Sequence, residues 1–382
     1  MMIRRTFLLA ASALTLTATL SPAQARDQWT KAQANGWHAS QPWQVGANYT
    51  PATAINQLEM FQAATWDPKR IDLELGWAQA MGMNVMRVNL HNLLWETDAP
   101  GLKRRMNEFM TIAAKHNIKT LWIFFDSCWD PNPVAGPQRP PIPGVHNSGS
   151  VQSPGAARLK DASQYGKLEA YVKDIVTTFA KDDRVVGWDI WNEPNNGGGG
   201  NYAPTPDKNK YVATLLPRLF AVARAANPVQ PLTSGVWTGD HWDDQSKLDA
   251  VEKIQIRESD ILSFHDYSWP EKFEERAKQM LSYGRPVWCT EYMARGNGST
   301  FDTTLPIAKK LNIAMYNWGF VDGKMQTRLP WDSWKKPYTY EEPTIWFHDV
   351  LHFDGKPYRQ AEVDLIKRMA AAPKGVVPAS VY

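Results

Sequence analysis

Short apolar runs alternate with amphipathic stretches along most of this chain, and almost every apolar run ends in polar residues. The runs expected to form strands are Trp43 to Tyr49, Asn84 to His91, Lys119 to Asp126, Val185 to Pro194, Pro231 to Trp237, Asp260 to Ser268, Pro286 to Met293 and Ala314 to Phe320. Between them lie helical patterns. Asp67 caps one with Pro68 at its first position, sends Ile71, Leu75 and Ala78 inward and stops at Gly82. Others run from about Leu102 to His116, through Leu168, Tyr171, Val172, Ile175 and Phe179, from about Lys208 to Ala226, and from Glu271 to Tyr283. No strand is joined to the next by a tight hairpin. Eight strands alternating with helices, with no repeat or domain boundary, predict an α/β fold: a single (β/α)8 barrel.

Strand alternation sorts the side chains. In the second strand Val85, Arg87, Asn89 and His91 share one face and Met86, Val88 and Leu90 the other, which predicts a polar interior and an apolar face toward the helices. A surface antiparallel strand would show the same alternation. In the sixth, Ser263, His265 and Tyr267 oppose Leu262 and Phe264; in the seventh, Val287, Cys289 and Glu291 align against Trp288 and Thr290; in the eighth, Ala314, Tyr316 and Trp318 align. The fourth reads Val-Val-Gly-Trp-Asp-Ile-Trp-Asn-Glu-Pro. Asn192 and Glu193 are neighbours, so an ideal strand aims them at opposite faces; serving one site requires the pleat to break there. The Pro-, Gly- and Ser-rich connection from Ser127 to Ser163 is long for a compact domain and is expected to wall a cleft. The loop from Asn195 to Asn201 is glycine-rich but has no phosphate-loop lysine.

Composition narrows the partners. Arg4 and Arg5, the apolar run from Phe7 to Leu20 and Ala23-Gln24-Ala25 form a signal-peptide pattern over residues 1–25, leaving 26–382 as one catalytic domain. The expected location is secreted or periplasmic in a bacterium-like cell, by a general secretory or a twin-arginine route. No later run is long enough to span a membrane. The net charge of +3 falls to about +1 without Arg4 and Arg5, which argues against nucleic acid or an anionic membrane as partner. Cys128 and Cys289 are too few for a disulfide framework; they either pair or stay as isolated thiols. The 18 tryptophans suit sugar-stacking platforms as well as core, with Trp129, Trp237, Trp242, Trp331 and Trp334 open to both roles.

Glu193 ends the fourth strand and Glu291 the seventh, so they face each other across the barrel mouth. Two facing carboxyls are the minimum for cleaving a glycosidic bond, one donating a proton and one attacking. Arg87 and Tyr267 would hold Glu291 ionised, while the apolar company of Trp188 and Trp191 would keep Glu193 protonated.

In these residues the chain resembles glycoside hydrolase family 5. Trp191-Asn192-Glu193-Pro194 resembles the signature in which Glu is acid/base and Asn binds the sugar 2-hydroxyl, and Trp288-Cys289-Thr290-Glu291-Tyr292 resembles the nucleophile strand. Arg87, His265, Tyr267 and Trp318 resemble the family's active-site Arg, His and Tyr and the Trp beneath the sugar at the cleavage point. The chain departs from the pattern at the end of the third strand, where Asp126, Ser127 and Cys128 replace the usual His; His91 is a substitute from the second strand.

The resemblance implies a retaining β-glycoside hydrolase, endo-β-glucanase-, xylanase- or mannanase-like, with Glu193 and Glu291 catalytic. Arg87, His91, Asn192, His265, Tyr267, Trp318 and Trp237 are expected to bind carbohydrate, and no cofactor or metal is required. Alternatives are an exo-acting enzyme of the same mechanism, a barrel that binds sugar without turnover, and a metal-dependent hydrolase using His91, Asp126 and His265.

Overall fold

A computed structural model describes residues 25–379; the signal-peptide pattern falls almost wholly outside them. Eight parallel strands carry the architecture: β1 Val45–Asn48, β2 Val85–Asn89, β3 Lys119–Asp126, β4 Val185–Asn192, β5 Leu232–Thr233, β6 Leu262–His265, β7 Val287–Glu291 and β8 Ala314–Asn317. They pair in the order β5-β4-β3-β2-β1-β8-β7-β6, and a parallel bridge between Val236 and Phe264 closes the ring. The protein is a single (β/α)8 barrel. No helix of the described residues is long and apolar enough to cross a membrane.

Alternation along the strands builds two apolar layers. Val85, Leu121, Val186, Ile261, Trp288, Ala314 and Tyr316 fill the barrel floor as one cluster. Met86, Val88, Trp122, Phe124, Trp188, Leu262, Phe264 and Met315 face outward into the layer shared with the helices. The helices follow their local signals. Pro68–Ala80 starts where the Asp67 carboxylate accepts the Arg70 N–H at 3.0 Å. Tyr165–Phe179 buries Leu168, Tyr171, Val172, Ile175 and Phe179, and Lys208–Ala225 follows β4. Gly46 has no room for a side chain: a Cβ there would sit 1.7 Å from the Val85 carbonyl oxygen of the next strand.

Three expectations are corrected. The fifth strand keeps only two ladder residues of the run from Pro231 to Trp237. Beyond it the ladder is interrupted, with Ser234 Oγ donating to the Trp191 carbonyl at 2.8 Å and Gly235 offering nothing to pack, and pairing resumes only at the Val236–Phe264 bridge. In β7, Trp288 points to the barrel floor and Cys289 to the helices. Glu291 nevertheless reaches the interior, because Phe264 pairs with Cys289 and His265 with Glu291, leaving Thr290 as an extra residue. Finally, Trp188 and Trp191 are wholly buried in the outer layer, against Phe124 and Phe125. They do not provide the surroundings of Glu193.

Candidate active site

Glu193 occupies the left-handed backbone region at φ 43°. This is the break in the pleat that its adjacency to Asn192 demanded, and a non-glycine residue holds it only where surrounding contacts impose it. Asn192 closes the strand facing the interior, and Glu193 swings into the same space. The bulge in β7 does the same for Glu291 from the opposite side. A carboxyl oxygen of each and a ring nitrogen of His265 lie within 4.8 Å of one another.

Each carboxylate has its own set of donors. Glu291 Oε1 accepts from Arg87 Nη1 at 2.9 Å, and Oε2 from the Tyr267 hydroxyl at 2.7 Å. Glu193 Oε2 accepts from the Asn196 amide at 2.6 Å and from the Cys128 thiol at 3.3 Å, while Oε1 is 2.7 Å from His265 Nδ1. Burial pushes both carboxyls above their ordinary range. The cation favours ionised Glu291, which is in direct contact with Arg87, whereas the contacts of Glu193 are neutral amide, thiol and imidazole. Burial pulls His265 down to about 4, so its ring is neutral at pH 7. Of the two carboxyls, Glu193 is therefore the better placed to hold a proton.

Arg87 is almost fully buried and serves four acceptors. Besides Glu291, its guanidinium reaches Asp189 at 2.7 Å, Asn192 Oδ1 at 2.6 Å and Asn48 Oδ1 at 2.6 Å. Asn192 in turn donates to Asp126 Oδ1 at 3.2 Å. Asp126 lies at the end of β3, where burial lifts its carboxyl to about 6. Glu193, His265 and Glu291 are also the group, among the described residues, whose atoms come close enough to share a cation. The Arg87 guanidinium in contact with Glu291 already fills that role and repels a second one.

The site opens into a cleft of ≈ 710 Å³ lined by Asp126, Trp129, Asn192, Glu193, Trp237, His265, Tyr267, Glu291, Trp318 and Trp331, among others. That size suits a short stretch of sugar units. Trp237 is held with its indole N–H 2.6 Å from Asn195 Oδ1. Trp331 stands edge-on to Tyr267 at 5.2 Å. Trp242 is core, packed on Phe264, and Trp334 stacks behind Trp129. The two cysteines are separate thiols, Cys128 in the cleft and Cys289 in the outer layer.

His91 is the expected site residue that the structure places elsewhere. It is fully buried below the rim, where Nδ1 accepts the Leu93 N–H at 3.1 Å and Nε2 donates to the Gln152 carbonyl at 3.0 Å. Both nitrogens are committed, so it contacts neither sugar nor metal. Asp189, Asn48, Asn196 and Cys128 are members of the site that strand patterns did not single out. Asp189 carried a signal, since a carboxylate inside an apolar run must find a buried partner.

Comparison with known proteins agrees with this geometry. Residues 142–324 match the family model described as cellulase, glycosyl hydrolase family 5. That stretch of the chain is a glycosyl hydrolase family 5 domain. The matched stretch holds both carboxylates, Asn192, His265, Tyr267 and Trp318, while Arg87 lies before it. No curated sequence matches the chain. Among solved structures it resembles a GH5_18 protein from Streptomyces cattleya in complex with GlcNAc, with TM-score 0.59, 11% identity, and 88% of this chain and 83% of that one covered. The exo-β-1,4-mannosidase Op5Man5 from Opitutaceae bacterium strain TAV5 gives 0.56 and 16%, covering 86% and 59%. The hyperthermostable endo-1,4-β-D-mannanase from Thermotoga petrophila RKU-1 gives 0.53 and 14%, covering 86% and 99%. At these identities the likeness is one of fold. The family 5 domain, which holds both carboxylates, makes the protein a glycoside hydrolase.

Proposed function

We propose that this glycoside hydrolase is an exported, retaining β-glycosidase that splits O-glycosidic bonds of a polysaccharide or its oligosaccharides by double displacement. The observation that carries the reading is the spacing of Glu193 and Glu291, with carboxyl oxygens within 4.8 Å of each other. Retaining enzymes hold their carboxyl groups roughly 5–5.5 Å apart, whereas inverting ones leave roughly 6.5 Å or more for a water.

In the first step Glu291 attacks the anomeric carbon, and Glu193 gives its proton to the departing oxygen. A glycosyl ester to Glu291 forms and the aglycone leaves. In the second step Glu193, now ionised, takes a proton from water as the water attacks the same carbon, and the ester breaks to restore Glu291. Arg87 and Tyr267 steady the carboxylate before attack and after release. Asn192, held by Arg87 and Asp126, faces the sugar bound at the cleavage point.

The test is product release from β-glucan, xylan, mannan and nitrophenyl glycosides by the wild type, Glu193→Ala and Glu291→Ala. Proton NMR of the first-formed anomer is recorded alongside. A β-anomer appearing first, and loss of release in both variants, is the expected result. An α-anomer appearing first, or substantial activity in Glu291→Ala, overturns the mechanism.

A further inference from the structure

We infer that the cleft is closed at one end by two interlocked loops, so that the enzyme removes a short unit of constant length from the non-reducing ends of its substrate. This rests on the glycosidase reading above and goes beyond it in naming the mode of attack.

The wall is made by the segments that follow β3 and β8. The Asn147 N–H donates to the Met325 carbonyl at 2.9 Å, and the Tyr338 N–H to the Gly144 carbonyl at 2.9 Å. Gln326 is the clasp. Its side-chain oxygen accepts the Gly144 N–H at 3.0 Å, and its amide donates to the carbonyls of Ile142 at 2.8 Å and Val145 at 2.9 Å. His146 adds an N–H bond to Ser333 Oγ at 3.0 Å. Behind the cleft-lining Trp129, Trp334 stacks at 5.6 Å and 16°. Buried, mutually satisfied backbone groups of this kind make a fixed structure.

The wall rests on the loop that follows β1. The Lys324 N–H donates to the Ala52 carbonyl at 3.0 Å, the Asn56 amide to Gly149 at 2.8 Å and the Gln57 amide to Val151 at 3.0 Å. It therefore runs across the rim above β1 and β2. The lining of the cleft agrees: it draws on the segments after β3 to β8 and takes no residue from those after β1 and β2. Beyond Trp318, over β1 and β2, the remaining gap is ≈ 20 Å³, space for about one water and far too small for a sugar ring.

The line from Glu193 to Glu291 divides the mouth. Trp237 lies on the side of β5 and β6, while Trp318 and the wall lie on the side of β8, β1 and β2. Asn192, for which the resemblance implies contact with the sugar 2-hydroxyl, is tied to Arg87 and Asp126, on β2 and β3. The glycone thus sits on the walled side and the leaving group on the open side beside Trp237. A chain enters with its non-reducing end first and stops at the wall.

The experiment uses the hexaoses of β-1,4-linked mannose, glucose and xylose, each tagged with 2-aminobenzamide at its reducing end, with products resolved over time. Release of one unlabelled sugar of fixed length, with the tagged chain shortening in steps of that length, is expected on whichever backbone is cleaved. Gln326→Ala should then add internal cuts, raising tagged fragments of other lengths several-fold. Tagged fragments of all lengths from the first time points of the wild type overturn the inference and leave the glycosidase reading intact. If no backbone is cut by the wild type, both the glycosidase reading on these chains and the inference fall together.

Discussion

One guanidinium joins the two buried carboxylates of Asp189 and Glu291: Arg87 reaches the first at 2.7 Å and the second at 2.9 Å. Asp189 is wholly inaccessible to solvent. Removing the cation leaves two buried negative charges uncompensated, and breaking a buried pair from one side costs about 3–5 kcal/mol. Arg87→Met should therefore lower the unfolding free energy obtained from urea titration by an amount of that order, besides ending activity. Asp189→Asn, which keeps an acceptor for Arg87 while removing one charge, should cost less. Equal stability of Arg87→Met and wild type would show that the pair is held by something else.

Tyr267 separates activity from stability more cleanly. Its hydroxyl meets Glu291 Oε2 at 2.7 Å, and its ring packs edge-on to Trp331. Tyr267→Phe keeps the ring and removes the donor. Loss of one such preorganised donor costs about 10²-fold in rate. The expected outcome is a fall of that order in kcat with a thermal midpoint close to wild type, measured on the most reactive nitrophenyl glycoside.

The pH dependence follows from the two carboxyls. Burial raises both, so both limbs of kcat/KM should lie above the ordinary carboxylate range of about 4.3. The acidic limb reports loss of the proton that Glu291 must shed to attack, and the alkaline limb loss of the proton that Glu193 must keep. A profile from about pH 4 to about pH 9 in the wild type and Glu193→Gln tests this, using an aglycone that needs no protonation. The variant should lose the alkaline limb and keep the acidic one. Linkage adds a sign for stability. A carboxyl raised on folding favours the folded state while protonated, and that contribution is lost as pH rises through the folded value. Stability should decline over that window in the wild type and decline less in Glu193→Gln.

The barrel was legible because each strand carries its own two-residue alternation and each helix its own cap or stripe. Those signals are local, and they survive folding. What escaped depended on relations between strands. The bulge opposite Phe264 turns Glu291 onto the same side as Thr290, and no pattern within Pro286 to Met293 announces it. The tryptophans beside Glu193 in sequence point away from it, since a left-handed residue follows them. His91 alternates correctly with Arg87 and Asn89, yet the strand ends at Asn89 and the chain turns to start a helix that His91 itself caps. The adjacency of Asn192 and Glu193 was the exception, because two neighbours serving one site demand a break in the backbone whatever lies around them.

Lys208 shows how far the support of Glu193 extends. It opens the helix after β4 and is nearly fully buried, with Nζ donating to the carbonyls of Ser127 at 2.8 Å and Asn196 at 2.7 Å and to Gln152 Oε1 at 3.1 Å. It thus pins the chain after β3, the wall segment and the residue whose amide holds Glu193 Oε2. Burial pulls its ammonium down to about 8, so its folded form resists charging and stability should rise between about pH 8 and about pH 10.4, the ordinary lysine value. Lys208→Met strands three buried acceptors, each worth about 1–3 kcal/mol, and frees Asn196. Both the Asn196 bond and the lysine charge lower the Glu193 carboxyl. Their loss should move the alkaline limb of kcat/KM to higher pH, with Lys208→Arg closer to wild type. A variant that is merely less stable, with its alkaline limb unmoved, would limit Lys208 to holding the loops together.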